Sequence, residues 1–211
     1  MSAALKSKHR KMRKEIVERL SYFEKVGRSH PRVLFEELSF CILTPQSKAF
    51  SCDEAIRELK EKGLLFGGEA GDIARVLAKK TRFHNNKAKY LVEARGKIGT
   101  DGFRRLSTIT FSGSEREARL ALLKNVKGIG WKEASHYLRN VGRGETVAIL
   151  DRHILKNLAR HGAIADVPKS LTPKKYLEIE AAMEKFCRKA GIPMAHLDLL
   201  FWAEETGRIF K

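Results

Sequence analysis

Apolar residues recur every three or four positions through most of this chain, and that spacing constrains its fold more than any other feature. Met12, Ile16 and Leu20 begin the pattern and predict an amphipathic helix over residues 11–26. Only residues 107–111 alternate polar and apolar side chains as a strand does, and a single strand cannot form a sheet. The sequence therefore predicts an all-α protein of about nine or ten helices.

Local signals mark where several of these helices begin. Ser114 and Glu117 have the spacing of a capping box, and Thr172 followed by Pro173 is typical of an N-cap and a first helical residue. The periodicity predicts further helices at 31–43, 47–62, 71–80, 86–97, 131–141, 152–161 and 173–190. We expect two helical subdomains, one of residues 28–162 and one in which residues 1–27 pack with residues 163–211.

The charge of the chain narrows the class of partner. Forty-two Lys and Arg residues against 25 Asp and Glu give a formal net charge of +17, and the isoelectric point is about 10.0. This excess favours a nucleic-acid partner over a membrane surface, because no predicted helix combines length with a bulky apolar face free to insert. A basic surface that serves only solubility is the alternative.

Cysteine and histidine usage excludes other classes of site. Cys41, Cys52 and Cys187 are far apart in apolar contexts, and the seven histidines show no paired spacing that would hold zinc. The start of the chain has no signal-peptide pattern, and no stretch approaches the length of a membrane span. We therefore expect no metal, a reducing compartment and buried thiols.

Residues 123–134 carry the most specific pattern in the chain. Gly128 and Gly130 lie between two apolar helix patterns, and glycine lets a backbone turn sharply and approach a ligand closely. The helix that follows presents unpaired N–H groups at its start, which favours an anion such as a DNA phosphate, with Lys127 beside it. A helix–turn–helix connection without any ligand is the alternative.

Two charged residues stand near this hairpin in sequence. Lys132 enters the next helix, where the positive end of the dipole and partial burial would favour the neutral amine that a nucleophile requires. Asp151 follows the apolar run 147–150, nineteen positions later, at the start of another helix. It can act as an N-cap, and its fixed carboxylate could also steady positive charge on a sugar or accept a proton. A solvated lysine and a purely structural cap are the alternatives.

Together these segments resemble the helix-hairpin-helix DNA glycosylases. Residues 123–134 and 147–158 look like the signature segment of that family, and the interval from Lys132 to Asp151 is similar to that of its bifunctional members. Residues 43–49 stand where the family places the loop that probes the base stack, which assigns Gln46 to intercalation. The resemblance covers most of residues 30–162 and implies two helical subdomains that flank a DNA-binding cleft.

The end of the chain resembles one branch of that family. The four C-terminal cysteines of the iron–sulfur members are missing, since Cys187 is alone beyond residue 52. The chain is most similar to the compact 8-oxoguanine DNA glycosylase/AP lyases found mainly in archaea. That resemblance implies base recognition by Lys211 through its terminal carboxylate, by Trp202 through stacking, and by Asp198. A core role for Trp202 and an ion pair for Asp198 are the alternatives.

The resemblance implies a complete reaction. Lys132 would displace 8-oxoguanine from its sugar, Asp151 would stabilise the cationic sugar, and β-elimination from the resulting imine would cut the strand, without any cofactor. The expected partner is double-stranded DNA containing 8-oxoguanine, bound by a monomer in a prokaryotic cytoplasm, at the nucleoid. A glycosylase of other lesion specificity and a DNA-binding module without catalysis are the alternatives.

Overall fold

The computed structural model describes residues 3–211, and in that range the chain forms twelve helices and no strand. Their bounds are α1 Ala3–Gly27, α2 Pro31–Leu43, α3 Ala49–Glu61, α4 Leu64–Gly67, α5 Ala70–Leu77, α6 His84–Ile98, α7 Arg104–Phe111, α8 Glu115–Asn125, α9 Trp131–Asn140, α10 Arg152–Arg160, α11 Pro173–Ala190 and α12 Met194–Thr206. The all-α prediction is confirmed. None of these helices combines the length and the hydropathy needed to cross a bilayer.

The local helix signals are confirmed in detail. Ser114 accepts a hydrogen bond from the Glu117 amide while the Glu117 carboxylate accepts one from the Ser114 amide, so α8 begins with a complete capping box. Thr172 accepts from the Lys175 amide, and Pro173 is the first residue of α11. These bonds satisfy amides that a helix start otherwise leaves without partners.

The strand-like segment 107–111 proves to be helical. It forms the end of α7, where Leu106 and Thr110 lie four residues apart on the buried side, and the Thr110 hydroxyl donates to the Leu106 carbonyl at 2.7 Å. A five-residue alternation is too short to exclude a helix, because residues one turn apart also fall on one side.

Contacts divide the chain into two compact units, one of residues 28–137 and one of residues 1–27 with 138–211. The two ends of the chain thus share a unit, and the division falls after Tyr137, whereas the sequence pattern predicts a boundary after residue 162. In the unit that contains both chain ends, α12 packs against α1, α10 and α11. The other unit is centred on α2, with Phe35 stacked on Phe103 at 4.5 Å between ring centroids.

Candidate active site

The hairpin after α8 requires glycine at its turn. Gly128 has φ +88°, a region that favours glycine, and a Cβ at this position would lie 2.2 Å from Cδ2 of Tyr90. Lys127 extends beside the same ring, with its Nζ 5.9 Å from the Tyr90 centroid and 3.4 Å from a Glu93 oxygen. The ring of Tyr90 therefore supports the turn and flanks the lysine that the sequence assigns to the DNA backbone.

Glu133 occupies a position that the sequence assigns to an anion. Its Oε2 accepts from the Gly130 amide at 3.0 Å, and its Oε1 lies 3.2 Å from Nζ of Lys132. The carboxylate thus satisfies one of the amides that open α9 and pairs with the candidate nucleophile at the same time. A phosphate contact at Gly130 requires this carboxylate to move aside and stays a prediction.

Lys132 lies in the first turn of α9, and its side chain is 25% exposed. The helix start is fixed from below by Arg119, which is fully buried, stacks on the Trp131 ring at 4.6 Å and donates to the Ser135 hydroxyl at 3.2 Å. These contacts hold the backbone around Lys132 while its amine remains accessible to solvent.

Asp151 caps α10 with one of its two carboxylate oxygens. Oδ1 accepts from the amides of His153 and Ile154, each at 2.8 Å. Oδ2 accepts no hydrogen bond from the part of the chain that the structure describes. The cap and the catalytic assignment are therefore compatible, because one oxygen orients the group and the other is available to a ligand.

The segment that leads to Asp151, residues 147–150, belongs to no helix and pairs with no strand in the described residues 3–211. Its backbone bonds instead to side chains of α11, since Tyr176 donates to the Ala148 carbonyl at 2.6 Å and accepts from the Leu150 amide at 3.2 Å. Glu180 accepts from the Ala148 amide at 2.7 Å. Both side chains are buried, and together they set the position from which Asp151 begins α10.

The loop between α2 and α3 presents Gln46 to solvent with φ +52°, a left-handed conformation that is uncommon for a residue other than glycine. Beneath it lies the buried Lys87, whose Nζ donates to the carbonyls of Leu43 and Pro45 and to the Ser47 hydroxyl at 2.7, 2.8 and 2.8 Å. Burial lowers the pKa of the Lys87 ammonium to about 8. Exposed Gln46 thus stands on a turn that a buried ammonium holds.

The sequence does not single out Lys87, Tyr176 or Glu180, although a signal exists for the first. Lys87 lies four residues before Leu91 and beside Ala88, both of which are buried, so the stripe of α6 that faces the core includes a charged residue. A charge on such a stripe requires hydrogen-bonding partners. Those partners are carbonyls more than forty positions away in sequence, which no local pattern identifies.

The base-recognition candidates lie on or after α12. Asp198 is buried, and its Oδ2 lies 3.6 Å from Nη1 of Arg139, the ion pair that the sequence offers as its alternative role. Trp202 is half-buried, and its ring lies 6.3 Å from that of Phe210 between centroids. Lys211 follows directly and is also half-buried. Contacts of these three residues with a base stay predictions.

No group of three or more His, Cys, Asp or Glu side chains among residues 3–211 is arranged to hold a metal ion. All three cysteines are buried, and none forms a disulfide within the described residues 3–211. Burial raises the pKa of the Cys52 thiol to about 11 and that of the Cys187 thiol to about 12. Neither thiol is suited to act as a nucleophile at neutral pH.

Comparison with known proteins identifies the family. A family model described as 8-oxoguanine DNA glycosylase matches residues 16–192. A Fusobacterium nucleatum protein named 8-oxoguanine DNA glycosylase/AP lyase is 46% identical, with 96% of this chain and 94% of that protein covered. The crystal structure of the Thermotoga maritima 8-oxoguanine DNA glycosylase is 32% identical with a TM-score of 0.87, covering 99% of this chain and 97% of that one.

A second solved structure has a similar fold and contains DNA. The Methanocaldococcus jannaschii 8-oxoguanine glycosylase/lyase, in complex with a 15mer DNA containing 8-oxoguanine, is 32% identical with a TM-score of 0.87, and each chain is covered completely. The family model spans most of the chain, and the relatives are matched over nearly their whole lengths. The chain belongs to the 8-oxoguanine DNA glycosylase family.

Proposed function

We propose that this chain is a DNA glycosylase/AP lyase that releases 8-oxoguanine from double-stranded DNA and then cleaves the DNA at the abasic site. The observation that carries the proposal is the pair of charged helix-start residues. Lys132 offers an accessible amine in the first turn of α9. Asp151 is held through Oδ1 by the first amides of α10, which leaves Oδ2 available to the substrate. The relatives whose names state this activity support the same assignment.

The reaction begins with the neutral amine of Lys132. Its nitrogen attacks C1′ of the sugar, the bond from C1′ to the base breaks, and the base leaves with the bonding electrons. Asp151 stabilises the positive charge that develops on the sugar, because an anion fixed by the α10 amides needs little reorganisation. Loss of the amine proton and opening of the sugar ring then give an imine between Nζ and C1′.

Strand cleavage follows from that imine. The imine makes the C2′ proton acidic, so a base removes it and the 3′ phosphate leaves by β-elimination. Water afterwards hydrolyses the imine and restores Lys132. This sequence balances without a metal or a redox cofactor, and the residues required are those of the chain itself.

Trapping with borohydride tests the nucleophile. Reduction of the imine should leave a covalent protein–DNA adduct with the unmodified chain and none with Lys132→Gln. Lys62→Gln is a matched control, because Lys62 lies exposed directly after α3 and its one ion pair within residues 3–211 is with Glu58. Equal trapping by the unmodified chain and Lys132→Gln would remove Lys132 from the mechanism.

Asp151→Asn tests the carboxylate. An asparagine oxygen still accepts from the α10 amides, so the cap persists while the charge is lost. Single-turnover base release should fall by about a hundredfold or more, with DNA binding preserved. An unchanged rate would show that Asp151 acts only as the N-cap of α10 and not in catalysis.

The base specificity rests on the end of the chain. We propose that Lys211 and Trp202 contact the extruded base and that Gln46 enters the gap it leaves, at a cost of a few kcal/mol for extrusion. Release assays on duplexes with oxidised or alkylated bases measure the specificity, and a chain that lacks Lys211 should lose its preference for 8-oxoguanine. Equal preference in both chains would make the terminal contact dispensable.

The oligomeric state and the cellular location of the protein also follow from its charge. We propose that the chain works as a monomer on the DNA of a prokaryotic cell, because its net charge of +17 favours a polyanion and repels a second copy. Sedimentation with and without a lesion duplex should give one protein per duplex.

A further inference from the structure

We propose that Lys87 is a positioning residue, which holds the turn of Pro45, Gln46 and Ser47 in the shape that inserts Gln46 into the DNA; this inference rests on the proposed function. Lys87 does not reach the substrate, since its side chain is buried beneath the loop with a residue exposure of only 3%. Its effect on the reaction passes through Gln46.

The ammonium of Lys87 donates all three of its hydrogen bonds to this loop. An ammonium has three donors, and here they meet the carbonyl before the turn, the carbonyl of Pro45 and the hydroxyl of Ser47. The three acceptors stand on both sides of Gln46, so one side chain fixes the chain before and after the exposed residue. Ser47 also accepts from the Arg82 amide at 3.0 Å, which ties the same turn to the segment before α6.

The conformation of Gln46 explains why such a clamp is needed. A left-handed backbone is unfavourable for a residue other than glycine, and such a conformation persists only where its surroundings impose it. The amide of Ser47 bonds to the carbonyl of Thr44 at 3.0 Å, which closes the turn but does not choose the orientation of Gln46. The contacts of Lys87 supply the remaining constraint.

The charge of Lys87 has no partner that would explain it as a structural ion pair. No carboxylate lies within ion-pair distance of its Nζ in residues 3–211, and desolvation lowers its pKa to about 8. The folded state therefore binds fewer protons than the unfolded state between about pH 8 and the ordinary lysine value of 10.5, so burial of this charge costs stability below pH 8 and the cost is relieved as pH rises. A buried charge retained at such a cost fits a role in positioning.

Lys87→Met separates the clamp from the fold. Methionine keeps the length and the apolar stem, and the two carbonyls are not abandoned, because Leu43 still accepts from the Cys52 thiol at 3.2 Å and Pro45 from Ser47 at 3.4 Å. The variant should therefore fold with a melting temperature close to that of the unmodified chain. Lys97→Met is the matched control, an exposed lysine at the other end of the same helix.

Two assays on each variant distinguish loss of extrusion from loss of chemistry. Release of 8-oxoguanine from duplex DNA in a single turnover requires extrusion, whereas cleavage of a duplex with a preformed abasic site has no base to extrude. Lys87→Met should slow base release by about tenfold or more and slow abasic cleavage much less. Lys97→Met should match the unmodified chain in both. A 2-aminopurine beside the lesion should show less unstacking with Lys87→Met.

The pH dependence of base release distinguishes positioning of the loop from a purely structural role. Lys87→Arg keeps a charge that does not titrate, so it should recover part of the base release. Above about pH 8 the neutral amine of Lys87 loses one donor, and the rate of the unmodified chain should fall relative to that of Lys87→Arg. The other charged and titratable groups that act on Lys87 are Cys52, Glu133, Lys132 and Arg82, and they are the same in both chains. Ser47→Ala, which removes one acceptor, should give a smaller loss of the same kind and serves where Lys87→Met does not fold.

Several outcomes would overturn the inference. Unchanged base release in Lys87→Met, or an equal loss in base release and abasic cleavage, would show that Lys87 does not act through the loop. Failure of the unmodified chain to release 8-oxoguanine would refute the proposed function itself, and the inference with it.

Discussion

Tyr176→Phe is the most informative single perturbation of the segment that precedes Asp151. It removes one oxygen and keeps the ring, so the packing of α11 is nearly unchanged. That oxygen donates to the Ala148 carbonyl and accepts from the Leu150 amide. Neither backbone group has another partner within residues 3–211, and both residues are buried with an exposure of 1% and 2%. The substitution therefore leaves two buried backbone groups without hydrogen bonds.

The expected loss follows from those two groups. A buried donor or acceptor left unsatisfied costs about 1–3 kcal/mol, so the pair should lower the free energy of unfolding by about 2–4 kcal/mol once local relaxation is allowed for. For a chain of this size about 1 kcal/mol corresponds to a shift of about 2–4 °C, so the melting temperature should fall by about 5–15 °C. Base release should also slow at temperatures where the variant is folded, because the backbone that delivers Asp151 is no longer fixed.

Urea denaturation followed by circular dichroism measures the first effect, and single-turnover kinetics the second. Tyr22→Phe is the control, because Tyr22 lies on α1 in the same unit with 46% of its surface exposed and loses only a solvated hydroxyl. The control should change the free energy of unfolding by less than about 0.5 kcal/mol. If the two variants are equally stable, the reasoning from unsatisfied backbone groups is refuted.

Three further predictions address the hairpin and the chain ends. Gly128→Ala should weaken binding to DNA far more than Gly102→Ala in a filter-binding assay, because both have positive φ but only the first meets a tyrosine ring; equal affinities would contradict this. Lys127→Gln should make the plot of log affinity against log salt shallower by about 0.9, the value for one phosphate contact, and an unchanged slope would exclude that contact. Nε2 of His9 lies 3.0 Å from Nδ1 of His196, and desolvation holds the pKa of each imidazole below 6.5. The stability they contribute is therefore complete above pH 6.5 and is lost as pH falls through their lowered values, so thermal melts of His196→Asn should depend less on pH between 7 and 5 than melts of the unmodified chain.

Features that depend on neighbours in sequence could be predicted. The capping box of Ser114, the start of α11 at Pro173 and the cap at Asp151 each use partners within three residues, and each is confirmed. The sharp turn at Gly128 was open to prediction for the same reason, because it depends on the φ of one residue. Local hydrogen bonding leaves a pattern that a single sequence displays.

Features that depend on distant partners could not be predicted. The alternation at 107–111 is ambiguous until the burial of Leu106 and Thr110 on one helix side resolves it. The hydrogen bond from Lys87 to Leu43 joins positions 44 apart in sequence, and no local pattern in either segment predicts that they meet. Residues 147–150 stand out in the sequence only as an apolar run, and their hydrogen-bond partners are side chains of α11 that lie 26 and 32 positions away.

The tie between α11 and the segment before Asp151 has a consequence for how the protein acquires its activity. Tyr176 and Ala148 are 28 positions apart, so the loop between them must close before either can bond to the other. Until α11 docks, α10 can form with its cap while Asp151 has no fixed location. Hydrogen exchange at the Ala148 and Leu150 amides would then report the maturation of the enzyme, and their protection should appear together with the first catalytic turnover during refolding.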